Sequence, residues 1–131
     1  MEIEYAEPDY RAGVCNIGPK ELAQRRRAGL VGVALAFGLA VALVALGAPT
    51  VLRGLVLFPL WGGLISLEQV RRHFCVGFAF AGIRSAGPDE TREAVTDVAD
   101  VAADRAAARI MVAYCGVAAF GVTLVYAWLP I

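Results

Sequence analysis

Three cysteines and a single histidine are the side chains of this 131-residue chain best suited to nucleophilic or soft-metal chemistry. Cys75 stands two residues after His73 and just beyond Arg71 and Arg72. Basic surroundings of this kind favour the thiolate, the form that attacks electrophiles and binds soft metals. Cys15 is its candidate helper. Three readings stay open for the pair: inert thiols at a membrane edge, a reactive thiol or sulfur carrier, and a soft-metal site. The last requires Cys15 and Cys75, with or without His73, to converge through the fold, because neither C-x-x-C nor H-x-x-x-H spacing occurs. The phosphate-loop pattern, H-E-x-x-H and G-x-S-x-G are absent as well, and the one histidine has no evident nucleophile to serve. The chain is expected to be no enzyme, with no cofactor, no resident metal and no nucleic-acid partner.

The elements that would position these thiols are set by an unusual composition. Hydrophobic residues make up 59% of the chain and charged residues 18%, with 12 basic against 12 acidic groups and a mean hydropathy of +0.63. Soluble domains average roughly 45–50% apolar and 25% charged, so an ordinary water-soluble domain is disfavoured. Residues 28–48 contain no charge, and as a helix they span about 31 Å, the thickness of a bilayer's hydrocarbon core. A second run, 51–69, is shorter in its uncharged part and relies on Arg53 snorkelling outward. A third, 110–129, carries Tyr126 and Trp128 near its end, where aromatic rings favour the headgroup zone. Two such helices exceed what the remaining polar residues of so short a chain can cover in water. The expected fold is an all-α integral membrane protein of three transmembrane helices. The first two form a tight hairpin about Pro49, and a long third helix enters the membrane from the cytoplasmic side.

Eleven of the twelve basic residues fall in 1–27 or 68–109, and the remaining one is Arg53. By the positive-inside rule the N-terminus and the 68–109 connection are cytoplasmic and the C-terminus lies outside, in a multi-pass protein of the inner membrane. The first 27 residues, rich in acids and arginines, do not read as a signal peptide. All three cysteines then sit on or near the cytoplasmic side, Cys115 a turn and a half into the third span, where thiols rather than disulfides are the default.

The chain divides into a tail (1–27, its first 14 residues reading as mobile), the hairpin, an interfacial segment (70–87) and an acidic amphipathic helix (88–109). Gly87 and Pro88 suit the start of that helix, which would run unbroken into the third span. Glu93, Asp97, Asp100 and Asp104 share one face of its wheel, a candidate partner-binding face expected to project from the membrane rather than to dock on Arg25–Arg27 or Arg71–Arg72. Ala28, Gly32, Ala36 and Ala40 recur every fourth residue as a candidate packing face. Gly62 and Ser66 offer a matching surface on the second span, and Cys115, Ala119, Thr123 and Ala127 do so on the third.

Two segments resemble a known pattern. Asn16, Gly18, Arg25 and Gly29 resemble the opening of the small two-helix inner-membrane domain often attached to rhodanese (sulfurtransferase) domains. Cys75, Phe78, Gly82 and Ile83 resemble its closing Cys-Pro-x-aromatic signature, with Val76 where that family usually has Pro. The match covers residues 15–84 and implies a membrane anchor linked to sulfur or thiol traffic. Taken with the composition, the expected role is a non-enzymatic anchor or accessory subunit, with the lipid bilayer and a membrane-protein partner or second copy as its contacts. The alternative is a thiol-based carrier or permeation path for a sulfur species or soft metal, using Cys75 and Cys15.

Overall fold

The computed structural model describes residues 10–85 and 92–131. It is dominated by three long helices, and each has the length and composition to cross a membrane: Lys20–Ala45, Thr50–Arg72 and Val98–Ala127.

Helix α1 (Pro19–Ala45) starts on a proline, whose fixed φ and missing N–H suit the first helical position. The chain reverses over residues 46–49, as the hairpin expectation required, and α2 (Thr50–Arg53) begins directly after Pro49. A 3₁₀ turn, Gly54–Val56, joins α2 to α3 (Leu57–Arg72). The switch has a local cause. Pro59 lacks an N–H, and its ring crowds the carbonyl four residues back, at Leu55, so regular α geometry cannot run through that turn. At the other end α3 stops at His73, which adopts left-handed backbone angles (φ 54°, ψ 44°) while the Phe74 N–H donates back to the Gln69 carbonyl at 3.0 Å. The sole histidine is thus a helix terminator in the place glycine usually takes.

α1 and α3 pack where Gly32 meets Gly63: a β-carbon added to Gly32 would lie 2.8 Å from the Gly63 α-carbon. The expected small-residue face is partly rotated. Gly32 and the buried Ala36 lie on it, Ala28 is exposed and the buried Gly29 takes its place, and Gly63 rather than the open Gly62 is the counterpart on α3.

α3 also carries the third long helix. Its Trp61 indole donates to the Val112 carbonyl at 3.0 Å, lying over Gly116, where a β-carbon would come within 2.8 Å of the ring. This last helix, α5 (Val98–Ala127), buries Asp104, Ala108, Met111, Cys115, Ala119, Thr123 and Ala127. The expected face Cys115, Ala119, Thr123 and Ala127 is therefore the one it turns inward. Its opposite face leaves Ile110, Val117, Phe120, Val122 and Val125 exposed, as α1 leaves Leu30, Leu35, Phe37 and Val41.

α5 begins ten residues later than the sequence suggests. Asp97 caps it, accepting the Ala99 N–H at 2.8 Å, and the residues before it pair as a minimal antiparallel ribbon, β1 (Ile83–Arg84) with β2 (Glu93–Ala94). An Asp cap and the cross-strand pair Arg84–Glu93 at 3.0 Å outcompete helix extension here. Gly87, Pro88, Asp89 and Glu90, on which the earlier start was placed, lie outside the described residues.

At the hairpin end Arg53 does not snorkel. It is buried, with its guanidinium donating to the carbonyls of Ala48 (3.2 Å), Leu129 (3.5 Å) and Ile131 (2.8 Å). A cation satisfies orphan carbonyls just past a helix C-terminus, where the dipole favours positive charge.

Candidate functional site

At the opposite end of the bundle the chain builds a polar cap from residues 10–18, the short helix α4 (Val76–Ala81) and the first turns of α5. Its centre is Asn16, which is fully buried. The Asn16 side chain accepts the Cys75 N–H at 2.6 Å and donates to the Cys75 carbonyl at 3.1 Å. Its main chain donates to the His73 carbonyl at 3.2 Å and accepts the Ser85 N–H at 2.9 Å. One asparagine thereby ties together the turn after α3, the start of α4 and the end of β1. Gln69 helps from α3, accepting the Val76 N–H at 2.8 Å.

Cys75 is the cap residue of α4, and its Sγ accepts the Phe78 N–H at 3.4 Å. A second donor reaches the same sulfur: Nη2 of Arg25, at 3.0 Å. The guanidinium of Arg25 lies 5.7 Å from the Phe78 ring centroid and 3.6 Å from the Glu21 carboxylate. Arg92 approaches the same ring at 5.0 Å and the same carboxylate at 3.2 Å. Ile17 and Phe78 close the apolar side, and Cys75 itself is 3% exposed. Cys75 thus accepts a charge-assisted hydrogen bond from a cation held between a carboxylate and a ring, and its burial keeps the sulfur from solvent.

The two arginines expected beside it from sequence have other partners. Arg71 turns to Glu68, donating through Nε at 2.9 Å, and Arg72 donates to the Tyr114 hydroxyl at 3.3 Å. His73 is exposed. Cys15 is buried in a tight turn closed by reciprocal backbone bonds with Arg11 at 2.8 and 2.9 Å, and Cys115 is buried in the α5 stripe. No disulfide joins the three cysteines. Among the described residues no group of three His, Cys, Asp or Glu side chains is placed to hold a metal ion.

The four acids expected to share a projecting face are dispersed. Glu93 is in β2 and pairs with Arg84, Asp97 is the α5 cap, and Asp100 lies in the first turn. Asp104 is fully buried, accepting the Tyr10 hydroxyl at 2.8 Å and the Gly13 N–H at 2.6 Å. Burial, then the hydrogen bond to Asp104 and the charges of Asp104 and Asp100, push the Tyr10 phenol well above its ordinary range. The start of α5 therefore docks beneath the hairpin on the chain's own N-terminal segment and on α4, where Arg105 donates to the Phe80 carbonyl at 3.2 Å. It neither projects nor rests on the arginine clusters. Residues 10–14, expected to be part of a mobile tail, are what it docks on.

Sequence reasoning missed Arg25 as the partner of Cys75 and Tyr10 as the partner of Asp104. The only advance signal was that Arg25 belongs to the resembling motif. No protein-family model, curated protein or solved structure matches this chain.

Proposed function

We propose that the chain is a three-span protein of the inner membrane, N-terminus cytoplasmic and C-terminus outside, that serves as a non-enzymatic anchor or accessory subunit of a membrane complex. The observation that carries this reading is how the polar side chains are used. Asn16, Gln69, Arg53 and Asp104 are buried and spent on the chain's own backbone, which leaves surfaces rather than a polar cleft. The charge distribution supports the orientation: the polar cap and Arg26, Arg27, Arg71 and Arg72 lie at one end of the bundle, and the charge at the other end, Arg53, is turned onto carbonyls. Kinship with the rhodanese-associated membrane domain belongs to the same proposal. Its support is that the two resembling segments meet, Asn16 of one cradling Cys75 of the other.

A second reading, a thiol-based carrier for a sulfur species, is favoured by one contact, Arg25 Nη2 on Cys75 Sγ at 3.0 Å. A thiol-transfer assay run beside copurification from native membranes separates the two. An anchor keeps its partner when Cys75→Ser is introduced, whereas a carrier keeps its partner but loses thiol-dependent transfer. A chain that captures no partner in either form, yet reacts stoichiometrically through Cys75, overturns the anchor reading.

A further inference from the structure

Among the described residues Glu21 pairs with Arg25 and Arg92, Glu68 with Arg71, and Glu93 with Arg84. Arg26, Arg27, Arg105 and Arg109 stand apart from these pairs. All four are exposed, and none has an acid three or four residues away on its own helix, where a partner would face it.

Depth sorts the charges. Counted outward at 1.5 Å per residue, Arg27 and Arg26 lie about 1.5 and 3 Å beyond Ala28, and Arg109 and Arg105 lie about 1.5 and 7.5 Å beyond Ile110. The headgroup layer on each side of a bilayer is about 5–8 Å thick. The acids of the same helices lie farther out or turn inward: Glu21 is about 10 Å out and Asp100 about 15 Å, and Asp104 is buried on Tyr10 and Gly13. At the α3 exit Arg71 is matched by Glu68, and Arg72 rests on the Tyr114 hydroxyl. Phosphates at that level meet arginine on α1 and α5 before any carboxylate.

Two of these arginines are placed to share one ligand. Arg105 and Arg109 are four residues apart, hence on one face of α5 and about 6 Å apart along its axis. Nη2 of Arg105 donates to the Phe80 carbonyl at 3.2 Å, which holds the guanidinium in place, and a guanidinium has further N–H donors to offer an anion. Arg26 and Arg27 point about 100° apart and offer no such grip. Beyond Arg109 the same ridge continues through Ala113, Val117 and Gly121, all exposed.

We propose that Arg105 and Arg109 form a site for the headgroup phosphate of an anionic phospholipid, whose hydrocarbon chain lies along the ridge of Ala113, Val117 and Gly121. Charge selects the lipid class. Two guanidiniums without a facing carboxylate attract an anionic headgroup and repel the ammonium of a zwitterionic one. The inference rests on the membrane-spanning reading above and adds to it a ligand class and a place.

The test is native mass spectrometry of the full chain released from nanodiscs of equal parts phosphatidylglycerol and phosphatidylcholine. Preferential retention of phosphatidylglycerol is expected. Arg109→Gln lowers that preference about tenfold, the usual weight of a hydrogen bond to a charged group, and Arg105→Gln/Arg109→Gln abolishes it. Arg26→Gln/Arg27→Gln removes the same charge and lowers it far less. Equal loss in the two double variants overturns the site, because the attraction is then diffuse, and so does equal retention of the two lipids by the parent chain. If the Arg105→Gln/Arg109→Gln chain does not fold, Arg109→Gln decides: an unchanged preference overturns the assignment. Soluble glycerol phosphate retained as tightly as the lipid also overturns it, since the site would then take a free phosphate. Alkaline extraction of the source membranes keeps the two levels apart, because release of the chain into the aqueous fraction defeats the membrane-spanning reading, whereas loss of the lipid preference alone defeats only the arginine site.

Discussion

Asn16 and Cys75, 59 positions apart, hold each other by two opposed hydrogen bonds, the Cys75 N–H to Asn16 Oδ1 at 2.6 Å and the Asn16 amide to the Cys75 carbonyl at 3.1 Å. The asparagine side chain stands in for a peptide unit and finishes a main chain that neither α3 nor α4 can complete. Asn16→Ala leaves the Cys75 N–H buried and unpaired, at about 1–3 kcal/mol, while the Cys75 carbonyl keeps the Ala79 N–H at 3.0 Å. A clear fall in the thermal unfolding temperature in detergent is expected. An unchanged melting curve would show that water replaces the side chain without cost.

Gly32 and Gly63 define the closest approach of α1 and α3, while Gly62, one residue away, meets open space. Leucine at position 32 or 63 should cost at least the ~1–3 kcal/mol typical of overpacking, and leucine at position 62 should cost little. Melting temperatures of the three variants in one detergent check this, and equal tolerance would place the helix crossing elsewhere.

The Tyr10–Asp104 contact predicts alkaline sensitivity. The Tyr10 phenol is raised by burial and by its bond to Asp104, so the folded chain holds that proton more tightly than the unfolded chain does. The stability this contributes is complete below the ordinary phenol value of about 10 and drains away as pH rises above it. Melting temperature against pH should fall above about pH 10 more steeply for the parent chain than for Tyr10→Phe. Parallel curves would detach Tyr10 from stability.

Reporter fusions test the threading. Fusions after Ile131 and within residues 84–92 should report opposite sides of the membrane, and a fusion at residues 46–49 should agree with the one after Ile131. Same-side signals from the first two would end the three-span reading.

Arg53 offers a fourth handle. Its guanidinium holds the hairpin turn to the end of α5. Arg53→Met should loosen residues 127–131 first, seen as faster amide exchange there with little change at Cys75. Uniform acceleration along the chain would make the contact part of the global fold instead.

The long helices were legible because a charge-free run of 20 residues in so short a chain has few other solutions, and α5's inward face because its small residues recur every fourth position. Other features were illegible for reasons of angle and distance. Successive helical residues differ by about 100°, so periodicity defines an arc and does not choose between Gly62 and Gly63, or among Arg25, Arg26 and Arg27. Only Arg25 turns to Cys75. Asp104 read as a solvent-facing acid because its partner, Tyr10, is 94 positions away in a segment with no periodicity of its own. The helix start at Asp97 was hidden by the stronger-looking Gly87–Pro88 pair.

The clasp between Tyr10 and Asp104 also imposes an order in time. A ribosome emits the first of these residues 94 positions before the second, so the cap cannot close until both hairpin helices and the ribbon have been made. The hairpin, whose partners are near in sequence, is free to form early, and the segment around Tyr10 must wait for the start of α5. Closing so long a loop carries an entropic penalty that local pairings avoid. The cap therefore closes after the hairpin and ahead of the Arg53 contacts to Leu129 and Ile131, whose partners are made last.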